Sequence, residues 1–466
     1  MFFDVAHVIG DGITMNILME DLTKLYNGEK VEPEAYTFYD YILDAKALED
    51  SGVKQRDCAA VDKLMEGHRM QRSILTRHDR QDCTRGVYAS IHRRLDRVVR
   101  KQVLYYCRKH NVSENAMFLS AFNYTIALFS NEDDVFVNSI HSGRTDGRWA
   151  RMAGCLFKTY LCRYKKIPHE KVDQYVTRTG AQIMNTMKNY SPVSRMGDMF
   201  LQYQGDILTV PTPGEAKGER MHCVQLDSLP FHMQIMFDED GFYTELRYWE
   251  NRFDRQSLEI FLTCYEEIVR AMMEETSVRR LKRHLPETVY PKHFRVLGDA
   301  LNAEAGYKLL PWIPKGRHLK VYILDESYKK KPYGAWGPLY VMDHEPAHFT
   351  EVVDNPYGPG TLYATGEIAR ILPDGTVDFL EKMGKEVCTD GVKGRLFFDL
   401  NATRNALKEY PGVKDADAYL AYNAAANEMT LFADVKADAD FDTAACLSAL
   451  GEKLTPNNVP VELRLV

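Results

Sequence analysis

Close to the amino terminus an apolar run, Phe2-Phe3-Asp4-Val5-Ala6, leads into His7-Val8-Ile9-Gly10-Asp11-Gly12. A strand that delivers an imidazole to a loop offers a proton acceptor near neutral pH, because the unperturbed imidazole titrates there. A carboxylate four residues on, Asp11, can brace that loop. Gly12 is expected to let the backbone turn where a side chain would be strained. Taken alone, a histidine beside an Asp-Gly turn is more often part of a surface loop than of a catalytic one.

The elements that must position these groups follow from apolar spacing. Ile13, Ile17, Leu18, Leu22 and Leu25 recur at helical intervals, and Asn27-Gly28 ends the pattern, so a helix is expected to pack its apolar side chains behind the histidine loop. Tyr36-Thr37-Phe38-Tyr39-Asp40-Tyr41 opens a second helix. Residues 87–95 alternate as a strand, and Asp96 can cap a helix running to about His110. Residues 116–129 form a strongly apolar, buried helix, and 135–140 a Val- and Ile-rich strand that ends at Ser142-Gly143-Arg144. Phe231–Phe237 and Phe242–Trp249 flank the turn signal Asp238-Glu239-Asp240-Gly241 and predict a hairpin; a helix over about 257–273 follows. Pro286 to Pro314 carries Pro and Gly without a long period and reads as a linker. Strands are then expected at 319–325 and 337–341, with the lysine run 329–331 on a solvated turn between them.

Composition narrows the function classes. At 466 residues, two or three domains are the natural prior. The chain is 45% hydrophobic and 27% charged, as in an ordinary soluble globular protein, and its net charge of −7 mixes both signs, leaving no basic stripe for nucleic acid and no polybasic tail for membranes. No apolar run reaches the length of a membrane-spanning helix, and no signal peptide is recognisable. The nine cysteines contain no Cys-x-x-Cys pair, so they read as reduced thiols of a cytoplasmic protein without a structural zinc; no metal site is expected.

The His7–Gly12 pattern resembles the His-His-x-x-x-Asp-Gly motif of the condensation domains of nonribosomal peptide synthetases, within the acyltransferases similar to chloramphenicol acetyltransferase. The resemblance makes His7 the second, catalytic histidine, beside the attacking amine, with Ala6 in place of the first. It makes Asp11 and Gly12 structural at the active site, and Arg144, which follows the strand and the glycine in the family's order, the partner of Asp11; a bidentate arginine is the best partner for a buried carboxylate. Tyr39-Asp40-Tyr41 resembles the family's Tyr-x-Asp-Tyr motif. Gly154-Cys155-Leu156-Phe157-Lys158-Thr159 is similar to its Gly-Pro-Phe-Val-Asn-Thr stretch, with Cys155 for the proline and Lys158 for the asparagine. Lys188-Asn189-Tyr190-Ser191-Pro192 is a faint echo of the next motif. Because the histidine falls at residue 7, the sequence is expected to begin part-way into the domain, lacking most of its N-terminal lobe.

The second half resembles a different family. Tyr363-Ala364-Thr365-Gly366-Glu367-Ile368, followed by Pro373-Asp374-Gly375, is similar to the Tyr-x-Thr-Gly-Asp-Leu segment and hairpin of amino-acid adenylation (AMP-binding) domains. This implies that Glu367 occupies the position that holds a nucleotide ribose, in a degenerate form. Gly384 and Cys388 replace charged groups, and the phosphate loop and catalytic lysine of that family are absent, so adenylation is not expected.

The expected architecture is α/β: a chloramphenicol acetyltransferase-like condensation domain over 1–286, a linker over 287–316, and a small α+β adenylation-type lobe over 317–466. The resemblance implies amide formation between a carrier-bound acyl or aminoacyl donor and an amine acceptor, with phosphopantetheine thioesters supplied by partner carrier proteins or neighbouring synthetase modules and no cofactor bound covalently here. An ester product from an alcohol acceptor stays open. The alternatives are a non-catalytic carrier-protein-binding module and a decayed synthetase fragment.

Overall fold

The protein is described by a computed structural model over residues 6–69, 74–76, 87–188, 199–205, 229–292, 295–305, 316–343, 352–380, 387–391, 394–423, 426, 428–438 and 441–466. Three helices come first: α1 (Gly12–Tyr26), α2 (Phe38–Asp50) and α3 (Val53–Met65). A layered α/β unit follows, made of β1 (Tyr88–Asp96), α4 (Arg97–His110), α5 (Glu114–Ser130), β2 (Asp134–His141), β3 (Lys158–Lys165), α6 (Val172–Met187), β4 (Met199–Gly205), β5 (Phe231–Asp238), β6 (Gly241–Trp249) and α7 (Arg255–Glu274). Local chemistry sets the boundaries. Asp96 accepts the Val98 and Val99 amides at 2.9 and 3.0 Å to start α4, and Asn111 ends it in the left-handed conformation, which asparagine tolerates.

The strands form one sheet in the order β1-β6-β5-β4-β2-β3. The β4 pairings with β5 and β2 are parallel and the rest antiparallel. Alternate residues, such as Val135 and Val137 on β2 and Phe231, Met233 and Ile235 on β5, face the core formed with α4–α7. As its apolar character predicts, α5 is buried almost all round and centres that core with Phe118, Phe122 and Phe129. The other face of β2 and β3 presents Phe136 and Leu161 to α3 and to the C-terminal lobe.

The 287–316 stretch departs from the expected linker. It contains β7 (Arg295–Leu297) and α8 (Gly298–Ala305), and β7 pairs with β8 (His318–Ile323). With β9 (Gly337–Asp343), β10 (Val352–Asp354) and β11 (Thr361–Ile371) they make a second sheet in the order β10-β11-β9-β8-β7, to which β12 (Val377–Phe379) adds a hairpin. Its core, Leu301, Leu319, Val321, Leu339 and Phe379 among others, includes α8. Beyond it lie the hairpin β13 (Val387–Gly391) and β14 (Gly394–Phe398), then α9 (Leu400–Lys408), β15 (Val413–Asn423), β16 (Glu428–Ala437), α10 (Thr443–Lys453) and β17 (Glu462–Leu465), with the order β15-β16-β17.

The parts are joined through buried groups. Trp336 belongs to the first core, and its amide donates to the Phe129 carbonyl at 2.8 Å. The lysine run expected on a solvated turn is not all solvated: Lys331 is only 4% exposed and donates to the Leu128 carbonyl at 2.6 Å and to Asn131 Oδ1 at 3.2 Å, closing the C-terminus of α5.

Candidate active site

Asp11 is the centre of the arrangement. It is the N-cap of α1, and its Oδ1 accepts the Thr14 amide at 2.9 Å and the Thr14 hydroxyl at 3.0 Å. Arg144 then grips both carboxylate oxygens, Nη1 to Oδ2 at 2.7 Å and Nη2 to Oδ1 at 3.0 Å. The Leu156 amide adds a third donor to Oδ2 at 3.0 Å. Both side chains are buried, 4% exposed for Arg144 and 6% for Asp11. Burial alone would raise the Asp11 carboxyl, but the guanidinium and the Thr14 and Leu156 amides outweigh it and hold the group below the ordinary carboxylate value. The pairing expected between Asp11 and Arg144 is present in the geometry.

The clasp fastens three separate segments. Arg144 Nη2 also donates to the carbonyls of Met152 and Gly154 at 3.0 and 3.2 Å, and the Thr14 hydroxyl oxygen accepts the Gly154 amide at 3.0 Å. The start of α1, the loop after β2 and the segment before β3 are thereby locked together. Gly154 is required by packing, since a Cβ there would run into the Phe38 ring. Phe38 stacks on Tyr41 at 5.9 Å, and Tyr41 meets Trp149 edge-on at 5.2 Å. Within the Tyr39-Asp40-Tyr41 segment, Asp40 completes a capping box with Thr37, while Tyr39 is exposed. That segment therefore serves α2 and its packing.

His7 sits on the turn that the clasp holds from behind, where the Ile9 amide bonds the Ala6 carbonyl at 3.0 Å. Its ring is exposed and rests edge-on against Phe157, with centroids 5.3 Å apart. Phe157 follows Leu156, whose amide is part of the clasp, so the histidine and its aromatic support are both anchored on Asp11.

Two expectations are corrected. Gly12 is the first residue of α1 and is not among the glycines with positive φ, so no special turn rests on it. The glycine that the site needs is Gly143, with φ of 72°, where a Cβ would collide with the Leu156 carbonyl. In α1, Ile17 is buried as expected, but Leu18 and Leu25 are exposed, so the helix does not bury its whole apolar set.

Sequence reasoning missed His141. It ends β2 opposite Lys158, the first residue of β3. Its Nδ1 accepts the Gly143 amide at 3.1 Å, and Nε2 is buried with no hydrogen-bond partner among the described residues. Burial, with the nearby Lys158 charge, pushes its imidazole down to about 4, and burial pushes the Lys158 ammonium down to about 8. The signal available in the sequence was a histidine three residues before Arg144.

Glu367 lies far along the chain, half-buried on β11 just after Gly366, where the β9–β11 register shifts. Its amide bonds the Thr365 hydroxyl at 3.2 Å. Asn189 to Pro192 and Gly384 lie outside the described residues, as does the side chain of Cys388. Among the described residues no cluster of metal-ligating side chains occurs, and no helix is long and apolar enough to cross a membrane.

Comparison with known proteins bears on this arrangement. Residues 1–206 match the family model of the condensation domain. Surfactin synthase subunit 3 of Bacillus subtilis is 36% identical over 106 residues, which are 21% of this chain and 8% of that protein. Tyrocidine synthase 2 of Brevibacillus parabrevis is 35% identical over 106 residues, 21% of this chain and 3% of that protein. The chain thus spans a small fraction of the length of these relatives. A crystal structure of a holo four-domain nonribosomal peptide synthetase bound to AMP and glycine matches 99% of this chain and 60% of its own, with a TM-score of 0.61 at 11% identity. The mixed α/β fold is that of such synthetases.

Proposed function

Starting from the condensation-domain match over residues 1–206, we propose that the chain carries a condensation-type acyltransferase site of nonribosomal peptide synthesis. One observation carries this reading: a buried, bidentate Asp11–Arg144 clasp fixes the loop that presents His7. Phosphopantetheine thioesters on partner carrier proteins are the substrates. The acceptor amine attacks the donor thioester carbonyl; a C–N bond forms, the C–S bond breaks, and the thiolate leaves with the proton released by the amine. His7 orients the amine and accepts that proton for transfer to sulfur. Asp11 and Arg144 exchange no proton, because a carboxylate with this many donors stays ionised. Since a deprotonated amine already attacks thioesters, orientation contributes as much as the base. An exposed His7 needs a second wall to exclude water and align two carrier arms, and docking of the loaded carriers supplies it on this reading.

The lobe over 317–466 is read as an adenylation-type remnant. Glu367 stands where the resemblance puts the ribose-binding carboxylate, and no aminoacyl-adenylate is formed. A second reading, a module that docks carrier proteins without chemistry, is favoured by the exposure of His7 and by Ala6 and the buried Lys158 at family positions.

Mixing the chain with a donor-loaded and an acceptor-loaded carrier and following the acceptor arm by mass spectrometry separates the two readings. A mass gain equal to the donor acyl group, absent without the chain, supports the transferase. Carrier binding with no mass gain supports the docking module.

A further inference from the structure

A cavity of about 420 Å³ opens between β7, β8 and the turn that follows β8. Five cationic side chains line it, Lys292, Arg295, Lys320, Lys330 and Lys331, and among the described residues no carboxylate does. Two of the five are engaged. Lys331 is tied to the end of α5, and Lys330 lies 4.8 Å above the Tyr357 ring and reaches the Pro291 carbonyl at 3.4 Å. The other three have no ion pair or hydrogen bond among the described residues. Arg295 and Lys320 stand directly opposite each other across the β7–β8 pairing. Like charges in that register repel and are destabilising without a counter-ion. On the same strand Tyr322 stacks on Tyr357, with centroids 5.6 Å apart, and gives the cavity a rigid aromatic wall.

We propose that this cavity is a binding site for a compact phosphate-bearing anion of the diphosphate class. Its size suits a small ligand. Three unengaged cations match the charge of a diphosphate, and the arginine fork suits a tetrahedral oxyanion with two donors at once. The site stands on residues that play no part in the proposed acyl transfer, so it holds or fails independently of that reading.

The test is calorimetric titration of the full chain with inorganic pyrophosphate at low salt, for the parent and for Arg295→Gln, Lys320→Gln and, as a control on another lobe, Lys408→Gln. Arg295 is exposed and Lys320 half-buried at the surface, and unchanged circular dichroism confirms that the variants fold. One-to-one binding is expected, weakened about tenfold by each cavity substitution and unchanged by the control. ATP added as competitor then distinguishes the source of the phosphate: displacement of pyrophosphate identifies a nucleotide ester as a permitted ligand, and lack of displacement restricts the site to the free anion. Absence of saturable heat at millimolar pyrophosphate, or equal weakening by the control, overturns the proposal.

Discussion

Asp11 performs three tasks with two oxygens: it caps α1, holds Arg144 and accepts the Leu156 amide. Removing one member of a buried ion pair strands the other charge, which costs about 3–5 kcal/mol. Arg144→Met should therefore lower stability by that order in urea titration. Adding Asp11→Asn to it should cost far less than the single effects summed, because the two groups act as a unit. A second prediction concerns acid. The folded His141 imidazole lies near 4, below its ordinary 6.5, so the unfolded state binds the proton first. Its contribution is fully present above about pH 6.5 and is lost as pH falls towards 4. His141→Gln should flatten the pH dependence of the melting temperature across that window. A slope unchanged by the substitution would contradict the assignment. At this scale the Asp11–Arg144 pairing was expected from the resemblance to the condensation-domain motif, whose order places a glycine and an arginine after the strand. For His141 the sequence offered only its position three residues before Arg144, since the strand register that sets it against Lys158 in a buried place is not a local property.

Around the first sheet β1, α4, α5, β2, β5, β6 and α7 were legible as elements, because period and caps are local properties, whereas β3, α6 and β4 were not picked out. What each element does for the site was less legible. An apolar period marks a face without telling what covers it, and α1 leaves Leu18 and Leu25 exposed. The glycine that matters was misplaced for a similar reason. Gly12 adopts backbone that any residue can take, while Gly143 closes against a carbonyl 13 residues further on, an approach no local pattern reveals. The two substitutions should behave oppositely. Gly12→Ala at a helix start should change stability by less than about 1 kcal/mol. Gly143→Ala combines a left-handed backbone with a collision, and should cost more than about 2 kcal/mol while loosening Arg144 from Asp11. Thermal unfolding of the two variants checks the pair, and equal effects would contradict the placement of the tight turn.

Across the whole molecule, the two halves distinguished by the sequence are bound by buried polar contacts. Arg370 on β11 is completely buried; it pairs with Asp378 through Nε at 3.1 Å and Nη2 at 2.8 Å, and bonds the Thr76 carbonyl of the first half. Its guanidinium also lies 4.3 Å from the centre of the Trp336 ring. Arg370→Met strands the Asp378 charge and removes the tie to Thr76, so calorimetry should show one unfolding transition for the parent chain and two for the variant. One shifted transition would mean that Trp336 and Lys331 suffice to hold the halves together. The expected linker failed at this scale, because a three-residue strand such as β7 has no period of its own and exists only by pairing with β8. The most direct test of the central claim is single-turnover amide formation between two loaded carriers by the parent chain and by His7→Ala. The account predicts a loss of about a hundredfold or more in the alanine variant with carrier binding intact. An unchanged rate would remove His7 from the chemistry.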